Sequence, residues 1–221
     1  GLVGSEMCIR DSLGSRKRNC HVPRMARQKT EMKLDPFYLI IDGAHWLERL
    51  LPQGLRLVQL RIKNRSDSEL RTEIRRAKSL CDAAGATLVI NDYWKIAIDE
   101  QCDFIHLGQE DLADADLAAI RRAGCRLGIS THDESELDRA LAVAPDYVAL
   151  GPVFPTSLKQ LDWAPQGVSR VSDWKKLVGR VPLVAIGGLN VERAHAVLDA
   201  GADSAAVSTD VLGHADPEAR A

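Results

Sequence analysis

The chain has 221 residues, of which 45% are hydrophobic and 27% are charged, and its formal net charge is −2 at pH 7. This length and composition suit one globular domain with a sizeable hydrophobic core. The small net charge argues against nucleic acid or an anionic membrane as a partner, and no apolar run approaches the roughly 18 residues of a membrane span.

The beginning of the chain does not have the pattern of a folded segment. Positions 15–30 carry six basic side chains and no acidic one, and the residues before them show no apolar periodicity. We predict that residues 1–35 are a non-native or disordered basic N-terminal extension and that residues 36–221 form the folded domain. A transit peptide or an anion-binding tail is the alternative for the basic stretch.

From position 36 onward, short apolar runs alternate with amphipathic segments. The runs are continuous rather than alternating, which is typical of parallel strands covered by helices. Predicted strands cover residues 37–42, 57–63, 87–92, 104–108, 126–130, 147–153, 183–187 and 204–208. The clearest predicted helices cover residues 68–84, 115–123, 134–144, 169–178 and 191–200.

This alternation predicts the α/β class and, within it, a compact (β/α)8 TIM barrel. A doubly wound, flavodoxin-like sheet is the alternative, but that fold normally uses about five or six strands. Few residues follow position 208, so the final helix is predicted to be short or truncated.

The five cysteines show no CxxC pair and no metal-ligand spacing. Three of them lie in predicted helices or turns, so we interpret them as buried free thiols. An odd number of cysteines without a signal peptide favours a reducing, cytoplasmic setting.

In a barrel of this kind the functional side chains lie at the carboxyl ends of the strands. Gln59, Arg61 and Lys63 end the second predicted strand and are spaced by two, so they are predicted to point to one face of the barrel mouth. Two cations and an amide on one face favour an anion site. The alternative is that the two basic side chains simply reach solvent.

Two carboxylates are predicted to lie beside these cations. Asn91 and Asp92 end the third strand, and Asp111 follows the fourth. Mg²⁺ is usually held by one or two carboxylates together with substrate phosphates, so Asp92 and Asp111 are predicted ligands of Mg²⁺. Helix capping is the alternative for Asp111 and our interpretation of Glu110. His106 is interpreted as a packed strand histidine.

The remaining strand ends carry hydroxyls, a lysine and glycines. Ser130 ends strand five, and Thr156 and Lys159 lie in the loop after strand six. Gly188 follows strand seven, where a bare backbone allows a ligand to approach, and Ser208 and Thr209 precede a helical start. The sequence therefore predicts two anion sites, one cationic and metal-assisted, the other built from amides and hydroxyls.

These residues resemble the thiamine phosphate synthase family, in order and spacing, over essentially all of residues 37–211. The matching segments include Val58-Gln-Leu-Arg-Ile-Lys63, Ile90-Asn-Asp92, His106-Leu-Gly-Gln-Glu-Asp-Leu112, Gly151-Pro-Val-Phe-Pro-Thr156 and Ala185-Ile-Gly-Gly188. The resemblance implies an enzyme that joins a hydroxymethylpyrimidine diphosphate to a thiazole phosphate. It releases pyrophosphate and forms thiamine phosphate by a dissociative substitution assisted by Mg²⁺.

The resemblance also implies roles for single residues. Asp92 and Asp111 would hold Mg²⁺, and Gln59 would face the pyrimidine. The departing pyrophosphate would be met by Arg61, Lys63, Asn91, Ser130 and Lys159. The thiazole phosphate would be lined by Thr156, Gly188, Ser208 and Thr209. The implied partners are these small-molecule substrates and neither nucleic acid nor a membrane. A homo-oligomer is a further possibility.

The chain departs from the family pattern at two places besides the short terminal helix. Leu158 stands where the family loop has a second threonine, and Ser208-Thr209 replaces the usual valine and serine. Two other functions are alternatives. One is a thiazole tautomerase of the sister family, which retains a histidine near His132, and the other is a non-catalytic thiazole or thiamine phosphate binding protein. The presence of Asn91-Asp92, of Gln109 to Asp111 and of Lys159 favours the synthase, because a tautomerase does not need a metal and diphosphate site.

Overall fold

Eight parallel strands close into a barrel in which each strand pairs with the next and β1 pairs with β8. The computed structural model describes residues 32–156 and 164–221. The strands are β1 (Phe37–Ile41), β2 (Leu57–Leu60), β3 (Thr87–Asn91), β4 (Phe104–Leu107), β5 (Arg126–Thr131), β6 (Tyr147–Leu150), β7 (Leu183–Ile186) and β8 (Ser204–Val207). The predicted (β/α)8 barrel is confirmed, and closure excludes the open flavodoxin-like sheet.

Helices occupy the connections on the outside of the barrel. They are α1 (His45–Leu50), α2 (Asp67–Ala84), α3 (Trp94–Asp99), α4 (Gln109–Asp114), α5 (Leu117–Arg122), α6 (Glu134–Ala142), α7 (Val168–Val178), α8 (Val191–Asp199), α9 (Thr209–Leu212) and α10 (Pro217–Arg220), with a 3-10 turn at Leu51–Gln53. The longer helices α2, α6, α7 and α8 coincide with predicted helices. The short α1 and α3 were not predicted, because periodicity needs a window of about 11 residues or more to be recognised. Helix α4 is the helical stretch that was expected to begin near Glu110.

Alternation along the strands divides the buried side chains into two groups. One group fills the lumen and consists of Leu34, Tyr38, Ile40, Leu57, Val89, Phe104, Tyr147, Ala149, Val184 and Ala206. A larger group packs between the strands and the surrounding helices. Gln59, Asn91 and His106 each lie two residues beyond a lumen residue, so they face the lumen one layer nearer its carboxyl-terminal mouth.

The sixth strand ends at Leu150, three residues before its predicted end at position 153. The second strand is also shorter than predicted. It ends at Leu60, although the amide of Arg61 still donates to the carbonyl of Ile41 over 2.8 Å. The chain then turns toward Ser66, whose side chain forms a capping box with Glu69 and starts α2. Arg61 and Lys63 therefore lie on the β2–α2 loop above the mouth rather than on the strand.

The last described residues form the two short helices α9 and α10, of four residues each. Arg220 of α10 donates from Nε and Nη2 to the carboxylate of Asp210 on α9, and Glu218 pairs with Arg49 on α1. These ion pairs hold the end of the chain against the first helix, on the seam where β8 meets β1.

Within residues 32–156 and 164–221, no helix is long and apolar enough to cross a membrane. Cys81 and Cys102 carry buried thiols, and the thiol of Cys125 donates to the carbonyl of Cys102 over 3.2 Å. The predicted extension falls mostly outside the described residues. Leu34, near its end, is buried with the lumen group at the amino-terminal floor of the barrel.

Candidate active site

The strand register brings the polar strand ends together at the mouth. Asn91 of β3 is the register partner of His106 of β4, and His106 is the partner of Gly128 on β5. Ser130 lies two residues farther along β5, on the same face as Gly128. The side chains of Asn91 and His106 are buried, whereas Ser130 is partly exposed at the rim. Burial therefore decreases from the lumen toward the mouth.

Lys63, Asp92 and Asp111 form a charged cluster above strands β2 to β4. The Nζ of Lys63 donates to Oδ2 of Asp92 over 2.6 Å, and the carboxyl group of Asp111 lies within hydrogen-bonding reach of Asp92. Burial and the negative charge of Asp92 raise the pKa of Asp111, while Lys63 opposes that rise. Two ionised carboxylates in contact repel each other, and a cation beside them relieves that repulsion.

The donor set of this cluster fits Mg²⁺. Among the described residues, no group of three or more His, Cys, Asp or Glu side chains is placed to hold a metal ion, so a site complete within those residues is not present. Mg²⁺ does not require one, because it keeps waters and takes substrate phosphates as ligands beside one or two carboxylates. Helix capping does not account for Asp111. It is the third residue of α4, no side chain among the described residues caps the N-terminus of that helix, and the Asp111 carboxyl group contacts Asp92 instead.

Asp92 owes its position to an uncommon backbone conformation. Its φ is 64°, in the left-handed region that aspartate tolerates better than most residues. Its amide donates to the carbonyl of His106 over 2.9 Å, so the residue stays attached to β4 after β3 has ended. This turn directs the Asp92 carboxylate toward Lys63 and Asp111.

His106 and Ser130 form a polar contact between β4 and β5 at the mouth. The Nε2 of His106 lies 2.8 Å from Oγ of Ser130. Burial, aided by the positive charge of Arg61 and opposed by Asp92, lowers the pKa of His106 to about 4. The ring is therefore neutral at neutral pH. The structure confirms that His106 is a packed strand histidine. It also shows that this histidine contacts Ser130, a predicted site residue.

Gln59 and Arg61 approach the same half of the mouth from β2. Gln59 is buried in the lumen, and its Nε2 donates to the hydroxyl of Tyr38 over 3.0 Å. Arg61 is partly buried, and its charge acts on the His106 ring. The structure thus brings together seven of the predicted residues, Gln59, Arg61, Lys63, Asn91, Asp92, Asp111 and Ser130.

The other half of the mouth is built from β6, β7 and β8. Gly188 has a φ of 64°, and a Cβ there would lie 2.3 Å from the carbonyl oxygen of Pro155. The bare backbone at this position is therefore approached by the loop that carries Thr156. Ser208 donates from Oγ to the carbonyl of Ile40 over 3.0 Å, and Thr209 is exposed at the start of α9.

Lys159, a predicted site residue, and Leu158 lie in the loop after β6 and outside the described residues. The chain returns at the far side of that loop, where the amides of Gln166 and Gly167 donate to the carbonyls of Pro152 and Val153 over 2.8 and 2.9 Å. Both ends of the loop are thereby fixed at the mouth, next to β6.

His132 lies on the rim after β5 and is bound to Glu136. Its Nδ1 is 2.7 Å from Oε2 of Glu136, and the same oxygen accepts the His132 amide over 2.8 Å. Its carbonyl accepts a hydrogen bond from Nε2 of Gln166. These contacts anchor the histidine to α6 and to the end of the β6 loop.

Three further residues support the site, and the sequence reasoning gave them no role. Gln109 donates from Nε2 to the carbonyl of Ser130 over 2.6 Å, so it ties α4, which carries Asp111, to the end of β5. Tyr38 and Tyr147 meet in the lumen below His106. A signal for the tyrosines was available, because a tyrosine within a buried strand needs a partner for its hydroxyl.

Comparisons with known proteins agree with the geometry. A family model described as thiamine monophosphate synthase matches residues 37–211. The thiamine-phosphate synthase of Rhizobium etli is 68% identical over 189 residues, which cover 86% of this chain and 93% of that relative. The thiamine-phosphate synthase of Cronobacter sakazakii is 53% identical over 170 residues, covering 77% and 81%. The structure of thiamine phosphate pyrophosphorylase from Pyrococcus furiosus matches with a TM-score of 0.75 at 28% identity, covering 83% of this chain and 90% of that one.

Proposed function

This chain belongs to the thiamine monophosphate synthase family of enzymes, and from that premise we propose that it forms thiamine phosphate from two phosphorylated substrates. One is 4-amino-2-methyl-5-hydroxymethylpyrimidine diphosphate, and the other is a thiazole phosphate. The reaction breaks the bond between the pyrimidine methylene carbon and the diphosphate oxygen. The thiazole nitrogen then bonds to that carbon, and pyrophosphate is released.

The observation that carries this proposal is the cluster of Lys63, Asp92 and Asp111. A leaving pyrophosphate gains negative charge as the carbon–oxygen bond breaks, so groups placed to meet that charge lower the barrier. Lys63 supplies a mobile ammonium, Arg61 a guanidinium and Ser130 a hydroxyl on the same side of the mouth. A point-charge lysine beside a planar guanidinium suits a diphosphate with several oxygens.

Asp92 and Asp111 would hold Mg²⁺ in this proposal. When bound, the ion supplies Lewis-acid stabilisation to the departing phosphate oxygens. The two carboxylates contribute by contact and orientation, since the backbone of Asp92 is fixed to β4 and Gln109 ties α4 to β5. Lys63 already neutralises part of the charge of Asp92 over 2.6 Å.

The pyrimidine would lie over Gln59, and the thiazole phosphate would lie between the β6 loop and the start of α9. The two anions would bind on different sides of the mouth, one near strands β2 to β5 and the other near strands β6 to β8. Lys159, on the β6 loop, is proposed to reach the pyrophosphate, and Thr156, Gly188, Ser208 and Thr209 to line the thiazole phosphate. Holding both substrates in one mouth supplies the proximity that a two-substrate reaction needs.

The alternative of a thiazole tautomerase has one observation in its favour, the His132–Glu136 contact of 2.7 Å on the rim. A tautomerase, however, would leave Lys63, Asp92 and Asp111 without a task. Metal dependence separates the two functions. Chelation abolishes a synthase that needs Mg²⁺ and spares a tautomerase.

The direct experiment incubates the full chain with both substrates and Mg²⁺ and measures thiamine phosphate and pyrophosphate. We expect both products, and their loss on adding a chelator. Asp92→Ala and Asp111→Ala should each lower turnover by at least about a hundredfold, the scale of losing a principal transition-state contact. Asp114→Asn is the matched control, because Asp114 is exposed on the same helix α4. A folded protein that forms neither product would refute the function, and near-normal rates in both alanine variants would refute the metal assignment.

A further inference from the structure

A chain of hydrogen bonds crosses the lumen and ends at the mouth. The Nε2 of Gln59 donates to the hydroxyl of Tyr38 over 3.0 Å, and that hydroxyl lies 3.0 Å from the hydroxyl of Tyr147. The Tyr147 hydroxyl is 2.7 Å from Nδ1 of His106, whose Nε2 is 2.8 Å from Oγ of Ser130. The first four side chains are buried, and Ser130 is the member that reaches the rim. We call these five residues the lumen relay.

The direction of the lumen relay follows from its first member. An amide nitrogen only donates, so the oxygen of Tyr38 accepts from Gln59. The hydrogen of the buried Tyr38 hydroxyl also needs a partner, and we assign it to the contact with Tyr147. The hydrogen of Tyr147 then points to Nδ1 of His106. With Nδ1 accepting, a neutral imidazole carries its hydrogen on Nε2 and donates it to Ser130.

The contacts of the His106 ring fix its tautomer. The ring is enclosed by the lumen and lies nearly parallel to the ring of Tyr147, with 5.6 Å between centroids and 16° between planes. With Nδ1 accepting from Tyr147, only Nε2 carries a hydrogen. One tautomer of a neutral ring, rather than a mixture of charged and neutral forms, therefore meets Ser130.

Ser130 has little freedom apart from the rotation of its hydroxyl. Its carbonyl is held by Gln109 over 2.6 Å, and its strand is paired with β6. Because Oγ accepts from Nε2 of His106, its own hydrogen is directed away from His106. Ser130 is partly exposed, so that hydrogen is left to donate to an anion bound in the mouth.

We propose that His106 is a positioning residue that turns the Ser130 hydroxyl into a donor toward the leaving pyrophosphate, with the rest of the lumen relay fixing its tautomer. The inference rests on the proposed function for the identity of the anion. The relay direction itself does not, because it depends on the five side chains alone. A hydroxyl with its lone pairs turned to the mouth would repel an anion, whereas a fixed donor meets it without reorganisation.

The tautomer is measured by long-range ¹H–¹⁵N NMR on the full chain labelled at histidine nitrogens. The His106 signals are assigned by their loss in His106→Gln. We expect a neutral ring with the hydrogen on Nε2 at neutral pH. A hydrogen on Nδ1, or a doubly protonated ring, would overturn the proposal whether or not the enzyme forms thiamine phosphate.

The consequence for the anion is measured by calorimetric titration with inorganic pyrophosphate and Mg²⁺. His106→Leu removes the donor to Ser130, whereas His106→Gln can still donate from its amide nitrogen. We expect His106→Leu and Ser130→Ala each to weaken pyrophosphate binding on the order of tenfold, and the double variant to be no weaker than either. His106→Gln should bind within a few-fold of the wild type.

Two results would contradict this coupling. Multiplied effects in the double variant would mean that His106 acts independently of Ser130, and equal losses in His106→Leu and His106→Gln would mean that the ring acts only by packing. If His106→Leu does not fold, the comparison of His106→Gln with Ser130→Ala and the tautomer measurement still decide. Failure of the wild type to form thiamine phosphate, with normal tautomer and coupling, would count against the proposed function and not against the lumen relay.

Discussion

Replacement of Gly128 by alanine should destabilise the barrel far more than such a small change normally does. Gly128 lies on β5 beside the ring of Tyr147, and a Cβ at this position would lie 2.1 Å from Cζ, 2.3 Å from Cε1 and 2.6 Å from the hydroxyl oxygen. The Tyr147 ring is fully buried between Tyr38, Phe104 and His106, so it has no open space into which to move. The added methyl group must displace the ring or the strand.

The magnitude follows from two physical effects. Overpacking a close-packed core costs about 1–3 kcal/mol. Displacing the Tyr147 hydroxyl breaks its contacts of 2.7 Å to His106 and 3.0 Å to Tyr38, and a buried polar group left without its partner costs about 1–3 kcal/mol. The unfolding free energy should therefore fall by about 2–6 kcal/mol, a large part of the roughly 5–15 kcal/mol typical of a folded domain.

Urea unfolding followed by circular dichroism measures this change. Gly108→Ala is the matched control, since Gly108 has an extended backbone and the nearest atom to its added Cβ, Oδ2 of Asp111, lies at 3.4 Å. A second test adds Gly128→Ala to Tyr147→Leu, which removes the ring, and the added methyl group should then cost less than about 1 kcal/mol. Equal unfolding midpoints for Gly128→Ala, Gly108→Ala and the wild type would refute the reasoning.

Three further predictions concern other parts of the fold. Because the pKa of His106 is 6.5 in its ordinary state and about 4 in the folded protein, the unfolded chain binds the extra proton between these values. As the pH is lowered from 6.5 to about 4, the unfolding free energy of the wild type should therefore fall by about 3 kcal/mol more than that of His106→Gln, measured by urea unfolding. The same pH dependence in both proteins would contradict this prediction. Ser66→Ala removes the hydroxyl that accepts a hydrogen bond from the amide of Glu69, and it should lower the unfolding free energy by about 1 kcal/mol in the same assay. An unchanged unfolding free energy would contradict a stabilising capping box. Burial raises the pKa of the Cys81 and Cys102 thiols to about 12, so iodoacetamide at mildly alkaline pH should label both thiols only when the protein is unfolded in urea. Peptide mass mapping locates the labels, and rapid labelling of either thiol in the folded protein would contradict their burial.

Much of the fold was predictable because parallel barrel strands must be apolar on both faces. The continuous runs before Asp92 and Ser130 have no other stable environment than a sheet covered by helices, and the observed strands fall within the predicted ones to about a residue at most ends. The same reasoning placed Gln59 and Asn91 at the mouth, since side chains two residues apart on a strand share a face. The loop position of Lys63 was not predictable, because nothing in its local pattern shows that β2 ends at Leu60.

The contacts below the mouth were not predictable, for a different reason. Tyr38 and Tyr147 are 109 positions apart, and their hydroxyls meet only because the barrel closes. The Tyr147 ring packs directly against Gly128, where a side chain would clash, but nothing in the sequence distinguishes this glycine from any other in a strand. The short helices α1 and α3 have too few residues for a periodic pattern.

The lumen relay shows why this barrel keeps polar side chains where apolar ones would pack. Replacing both partners of a buried hydrogen bond by apolar groups of similar shape can be neutral or stabilising, so stability alone does not require Tyr38, Tyr147 and His106 to be polar. Apolar side chains such as Val89 and Val184 belong to the same buried lumen group as the two tyrosines. The lumen relay runs from these deep side chains to Ser130, the member that reaches the rim. The requirement that selects a polar core here is therefore at the mouth: a hydroxyl needs a defined orientation, and only a hydrogen-bonded chain anchored in the rigid lumen supplies one.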